Sequence, residues 1–466
     1  MPVARLRDQT RASIALDARL PGRTLATHSA VHHPFGFPCT NRRDFSLAGR
    51  FDVTSLFGWW KAGDARARRA LIAAAAGWML DAFDVMLYAL VIPAVIKEFG
   101  LTKGEAGILG SVTLLAAAGG GIAFGFISDR FGRTRALMGS VLIYSVATAL
   151  CGLSQNLTQL LIFRTLLGIG MGGEWASGAA LVSESWPDEH RGKALGFMQS
   201  AWAIGYGLAA AVTALVLPTF GWRAVFFVGL LPAFLVIWVR RRVEEPELWL
   251  AQQRANKSAP SAPRASLADA FRGPLRRVTI AVTAMNACTL FGWWGLNTWI
   301  PSYLQLPPEQ GGIGFTAAIM SGLVIAMQVG MWLGYITFGF VSDAVGRKRT
   351  YVSYLLIASI LLPLYGITRS PWLLLVLGPL VAFFGTGYYS GFGALTAELY
   401  PTAIRGAAQG FTYNLGRIAS AAAPWTIGSL AASRGFSVAF FVTGGAFLLA
   451  AFAWRWIPET KGRRLS

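Results

Sequence analysis

Residues 125–135 read Gly-Phe-Ile-Ser-Asp-Arg-Phe-Gly-Arg-Thr-Arg, and residues 339–349 read Gly-Phe-Val-Ser-Asp-Ala-Val-Gly-Arg-Lys-Arg. The second stretch is the first displaced by 214 residues. The same offset carries Glu184, Pro187, Arg191, Gly192, Ala194 and Gly196 onto Glu398, Pro401, Arg405, Gly406, Ala408 and Gly410. It also carries Phe226-Phe227-Val228 onto Phe440-Phe441-Val442. A long-period repeat of this kind governs the fold. In a membrane chain, two related halves point to a carrier with its site between them.

Composition places the chain in a membrane. Of its 466 residues, 54% are hydrophobic and only 14% charged, where a soluble domain carries about 25% charged residues. Apolar runs near the roughly 20 residues that span a bilayer recur along the chain. Twelve of them start near residues 70, 105, 136, 158, 192, 222, 278, 315, 350, 372, 406 and 436. They are continuous rather than alternating, which selects helices over a barrel. The expected fold class is an all-α membrane protein with twelve transmembrane helices in two pseudo-symmetric six-helix bundles. The expected organisation is a disordered tail over 1–69, a bundle over 70–239, a linker over 240–276, a second bundle over 277–457 and a tail over 458–466.

The net charge of +19 follows this topology. Arg130, Arg133 and Arg135 fall between spans 2 and 3, nine basic residues between spans 6 and 7, and Arg347-Lys348-Arg349 between spans 8 and 9. Alternate loops hold isolated cations such as Arg223, Arg369 and Arg434. The positive-inside rule then puts both termini in the cytoplasm of a plasma (bacterial inner) membrane protein. The charge gives no reason to expect a nucleic-acid partner. Cys39, Cys151 and Cys288 show neither a disulfide framework nor metal spacing. His28, His32, His33 and His190 all lie outside the apolar runs. No metal or cofactor is expected.

A charge at the bilayer centre costs roughly 3 kcal/mol or more, so each one demands a reason. Spans 3, 6, 9 and 12 contain none and can face lipid. Span 1 carries Asp81 and Asp84. Their spacing puts both carboxylates on one helix face, and Tyr88 extends that stripe. Two close carboxylates in low dielectric cannot both ionise cheaply, so at least one is expected to hold a proton. Proton carriage competes here with a purely structural pair. Span 4 carries Arg164 and Glu174, too far out of register to pair directly. Arg164 suits an anionic substrate or neutralisation of Asp81 or Asp84. Glu174, beside Gly172-Gly173, suits a second titrating site or a hydrogen-bond acceptor. Span 11 carries Arg417 and Asn414. The Arg417 fork matches a substrate carboxylate or an interhelical acid. Gln199, Trp202 and Tyr206 form a stripe on span 5, with Trp293, Trp294 and Asn297 on span 7, Gln328 on span 8, and Tyr388 and Tyr389 on span 10. Such groups line pockets for partly apolar ligands, or anchor helices.

The repeat sorts these residues. Asp81, Asp84, Arg164, Glu174 and Arg417 map by 214 onto Gly295, Thr298, Gly378, Tyr388 and Ala203, so every candidate chemical group breaks the symmetry. The residues that obey it are Gly125, Asp129, Gly132, Arg133, Glu184 and Arg191, answered by Gly339, Asp343, Gly346, Arg347, Glu398 and Arg405. With Arg130, they form a hinge-and-gate set whose glycines permit tight turns and whose acids suit helix N-termini.

The loop Gly125-x-x-x-Asp129-Arg130-x-Gly132-Arg133-x-Arg135 resembles the signature of the major facilitator superfamily, and the resemblance covers about residues 70–460. It implies alternating access between two bundles, with spans 1, 4, 7 and 10 lining the cavity. Asp81-Ala82-Phe83-Asp84, Gly172-Gly173-Glu174-Trp175 and Glu184-Ser185-Trp186-Pro187 look like the sialate:proton symporter branch, which includes monocarboxylate carriers. The paired aspartates are also similar to those of aromatic-acid:proton symporters. That likeness implies transport roles for both acids, for Arg164, Arg405 and Arg417, and for Glu174. The histidine-bearing span-7 motif of fungal lactate carriers is absent at Asn286-Ala287-Cys288-Thr289-Leu290. Pro458-Glu459-Thr460-Lys461-Gly462 is shared with sugar porters, whose paired span-7 glutamines are missing here, and residues 196–217 lack the proline of drug antiporters.

The expectation is a proton symporter that imports a small organic anion: a monocarboxylate, aromatic acid or sialate-like acid. The partners are the acid, protons and the lipid bilayer, and the carrier is expected to act as a monomer. A sugar or polyol porter is the alternative within the superfamily. A transporter-like receptor is the alternative outside it, and would call for a long folded cytoplasmic domain. An enzyme would need a nucleophile–base pair, metal cluster or phosphate loop, and none stands in a plausible context.

Overall fold

The computed structural model describes residues 53–187, 190–258, 267–401 and 404–461. The histidines at 28, 32 and 33, Cys39 and the Ser-Ala-Pro run of the linker lie outside these residues. The described helices are α1 (Val53–Ala62), α2 (Ala65–Phe99), α3 (Lys103–Phe131), α4 (Arg133–Leu153), α5 (Leu157–Ser185), α6 (Arg191–Val228), α7 (Ala233–Arg242) and α8 (Glu247–Ser258). They continue as α9 (Gly273–Gln305), α10 (Ala317–Val345), α11 (Arg347–Ile367), α12 (Pro371–Thr386), α13 (Phe392–Leu399), α14 (Arg405–Ser420) and α15 (Ala423–Ala453).

The twelve expected spans are found in this set. Eight helical stretches are long and apolar enough to cross a membrane, two of them, 191–242 and 408–453, long enough to cross twice. Each doubles back at a glycine in left-handed backbone, Gly221 at φ 76° and Gly435 at φ 83°. Helices α5 and α9, which carry more polar residues, complete the twelve.

Three pairs of positive-φ glycines stand 214 residues apart: Gly100 and Gly314 (64° and 86°), Gly132 and Gly346 (115° and 118°), Gly221 and Gly435. An L side chain at these positions is strained, so the repeat is written into the turns as well as the spans. The ends bearing Arg133, Arg191, Arg347 and Arg405 form a basic face. The ends bearing Gly100 and Gly314 form the far face.

Two clamps brace the basic face, one per half. Arg133 bridges Asp129 and Glu184, with Nη2 2.7 Å from Glu184 Oε1. Its counterpart Arg347 bridges Asp343 and Glu398, with Nη2 3.0 Å from Glu398 Oε1. The helix N-termini are complemented by other acids than the signature ones. Glu245 accepts from the Thr134 and Arg135 amides (3.1 and 3.2 Å), and Glu459 from those of Arg347 and Lys348 (2.9 and 3.1 Å). Glu245 and Glu459 are themselves 214 apart. Partial burial pushes the Glu459 carboxyl up, but amides of Lys461, Arg347, Lys348 and Thr460 outweigh it and hold it below the usual range. Its stabilising contribution is therefore present above the unfolded pKa of about 4.3 and is lost as pH falls through the depressed folded value. The melting-temperature gap between wild type and Glu459→Gln should shrink as pH drops below about 4.

Two expected boundaries change. Helix α1 lies inside the segment read as a disordered tail and α2 begins at Ala65, because Trp59 and Trp60 pack on Trp186 and Phe197. The segment read as linker contains the end of α7, all of α8, a 3₁₀ turn over Leu267–Phe271 and the start of α9. Helix α8 is held by Trp249 Nε1 and Gln253 Nε2, which donate to the Asp129 carbonyl at 3.0 and 3.1 Å. Arg66 ties α2 to Glu244 and Glu247 beside it.

Candidate functional site

A cavity lies between the halves at mid-span. Trp78 of α2, Gln199 and Trp202 of α6, Leu290, Trp293 and Trp294 of α9, Tyr335 of α10, Tyr389, Tyr413 and Arg417 line it. The tryptophans brace each other edge-on or tilted: Trp78 and Trp202 centroids are 4.6 Å apart, and Trp293 and Trp294 likewise 4.6 Å. Arg417 is buried, its Nε has no hydrogen-bond partner, and the Tyr413 ring lies 5.4 Å from its guanidinium carbon. The chamber is therefore a box of flat apolar walls with one cation.

An acidic cluster sits beside it in the first half. Asp81, Asp84 and Glu174 are all fully buried. Asp84 Oδ2 accepts from Thr148 Oγ1 at 3.1 Å, while its Oδ1 and both oxygens of Asp81 and of Glu174 have no partner. Gly77 admits Glu174, since a Cβ there would stand 2.5 Å from Glu174 Oε1. Tyr144 of α4 lies among the three acids and donates to the Gly77 carbonyl at 3.3 Å. Asp81 is within electrostatic reach of Arg417 in the other half. No ion pair is found between them.

The two halves differ in chemistry while sharing clamps, turns and span order, and a family model confirms what that pattern implies. The Major Facilitator Superfamily model matches residues 74–336 and 306–466. The chain belongs to this superfamily. This facilitator is 35% identical to a probable 4-methylmuconolactone transporter of Cupriavidus pinatubonensis, over 87% of its own length and 94% of the relative's. It is 32% identical to a sialic acid transporter of Escherichia coli, over 84% and 93%. Among solved structures, a D-xylose–proton symporter superposes with a TM-score of 0.69 at 22% identity, covering 86% of this chain and all of that one. The facilitator is thus a multi-pass membrane transporter of two six-helix bundles, not an enzyme.

Not every expected residue of the facilitator reaches the cavity. Gln199, Trp202, Trp294 and Arg417 do. Tyr388 does not: the 3₁₀ turn over Gly387–Gly391 swings it among Tyr351 and Phe447 and leaves Tyr389 on the wall. Tyr206 donates to the Asn297 carbonyl at 3.1 Å, and Asn297 Nδ2 to the Trp293 carbonyl at 2.9 Å, so this pair ties α6 to α9. Asn414 Nδ2 donates one turn back to Gly410, and its Oδ1 faces Gly121 of α3. Arg164 lines a different cleft and forms no ion pair with Asp81 or Asp84. Trp78, Tyr335 and Tyr413 were not singled out from sequence. Trp78 and Tyr413 each stand one turn before a charged candidate, Asp81 or Arg417, on the same face.

The far face is shut. Lys103 Nζ of the first half donates to the Gln310 and Ala431 carbonyls of the second at 2.6 and 3.3 Å, and the Trp425 amide donates to Ser111 Oγ at 3.2 Å. A Cβ on Gly107 would stand 2.5 Å from Pro424 O and 2.7 Å from Trp425 Cα. By contrast, Cβ atoms at Gly125, Gly192, Gly196, Gly339 and Gly410 on the basic side would meet nothing within 4 Å. On that side the chamber is covered by Trp175 stacked on Tyr413, centroids 4.7 Å apart and planes 15° apart. Gly107→Ala should disfavour far-face closure by about 1–3 kcal/mol, roughly 5- to 150-fold in population. Ser429 of α15 faces Gly104 of α3 across the same closure, so alkylation of a cysteine placed there should accelerate accordingly, and transport should slow.

Proposed function

We propose that this facilitator imports a small, flat organic monoanion together with a proton. One observation carries the reading. Arg417 presents a buried guanidinium, its Nε without a hydrogen-bond partner, to a chamber of indole and phenol rings, while three partnerless or half-partnered acids sit beside it. A guanidinium fork suits a carboxylate, and ring faces suit an aromatic or conjugated body. The relatives named for a muconolactone and a sialic acid support an acid as cargo. The xylose symporter shares only the fold at its level of identity.

Asp81 and Asp84 take the proton, with Glu174 as a third titrating group. Protonating one acid while a monoanion binds leaves the moving complex near neutral, which lowers the cost of crossing a low-dielectric gate. The basic face is cytoplasmic by the positive-inside rule, in a bacterial inner membrane, with both termini inside. The signature loops and their clamps act as the rocking hardware, and the carrier works as a monomer.

Four tryptophans line the chamber, so binding is read directly. Gentisate, a polar aromatic carboxylate, should quench the intrinsic fluorescence of the purified protein saturably. Xylose should neither quench nor compete. Competition by xylose and not by carboxylates would replace this reading with a sugar porter.

A further inference from the structure

Arg164 does not share the chamber of Arg417. It lines a narrow cleft with Tyr88 of α2, Gly110 and Thr113 of α3, Thr298 of α9 and Pro424 of α15, and Trp294 is the one residue common to both walls. Arg164 is 2% exposed, yet its Nε and Nη1 have no hydrogen-bond partner. The Tyr88 ring lies 4.3 Å from the guanidinium carbon, and the buried Cys151 thiol is within electrostatic reach. The Tyr88 and Thr113 hydroxyls on the cleft wall are engaged elsewhere. Tyr88 donates to the Ala106 carbonyl and Thr113 to the Leu109 carbonyl. A buried cation beside a ring face and a thiol lacks the hydrogen bonds that desolvation demands.

We propose that Arg164 is the centre of a second anion site, which holds the substrate carboxylate when the far face is open. The cleft draws its walls from both halves, and Gly110 closes it, since a Cβ there would stand 3.0 Å from Pro424 Cβ. Parting the halves at this face separates Pro424 and Thr298 from α3 and exposes the fork. Arg164 lies near the far-face end of α5, and Arg417 lies deeper. The carboxylate therefore meets Arg164 first, passes Trp294, and reaches Arg417 as the far face shuts. This deepens the proposed carboxylate reading and rests on it.

The test uses full-length protein opened at the far face by Gly107→Ala, and separately by Lys103→Glu, which removes the latch to Gln310 in case the first variant folds poorly. Labelled gentisate binding is measured by equilibrium dialysis. In either open background Arg164→Gln should weaken binding at least roughly tenfold, and more than Arg417→Gln does. In the wild-type background the order should reverse. If Arg164→Gln leaves affinity within about twofold in both open backgrounds, the second site does not exist. If no background binds gentisate at all, the carboxylate reading falls and this site falls with it.

Discussion

Asp81→Asn and Asp84→Asn should each abolish accumulation driven by a pH gradient while sparing exchange of labelled for unlabelled substrate. Asparagine has the shape of the protonated acid and cannot release a proton. Both positions are fully buried, and Asp81 has no partner on either oxygen. An ionised carboxylate there costs several kcal/mol unless paired, so the empty carrier must lose its proton only where water or Arg417 can receive the charge. A permanently neutral side chain removes that step and leaves the loaded carrier free to shuttle. One pH unit is worth about 1.4 kcal/mol per proton, or tenfold in concentration. Wild type should therefore build roughly a tenfold gradient per unit, and the asparagine variants none. Reconstituted vesicles, corrected for protein-free liposomes, measure both quantities.

Arg417→Ala should cost at least about 2 kcal/mol in carboxylate binding, roughly thirtyfold, because the substrate anion would be left in a buried aromatic chamber without its counter-charge. Arg417→Lys keeps the charge and loses the fork, so it should fall between. The loss should be specific to the carboxylate: a neutral amide analogue of gentisate should bind the alanine variant about as well as it binds wild type. Calorimetric titration with the acid and its amide separates the two effects.

Much of this was legible in the sequence because the repeat separates scaffold from chemistry. The clamps at Arg133 and Arg347 obey the 214-residue offset and form matched triads, with Asp129 and Glu184 in one half and Asp343 and Glu398 in the other. The five charged residues that break the offset are all buried, as a carrier's chemical groups must be. What was hidden depends on local helix geometry. Of the pair Tyr388 and Tyr389 only the second reaches the wall, because a 3₁₀ turn interrupts the span, and no pattern of period 3.6 reports such a break. Glu245, the partner of Glu459 by symmetry, sits in a segment whose polarity reads as linker. The separation of Arg164 from Arg417 by Trp294 is a property of packing between halves, which one-dimensional spacing does not encode.

The central claim is coupling of a carboxylate to a proton. Purified wild-type protein in proteoliposomes, acidic outside by about one unit, should accumulate labelled gentisate roughly tenfold, and collapsing the gradient with a protonophore should release it. Uptake that equilibrates without accumulating, and is indifferent to the gradient, would contradict the account.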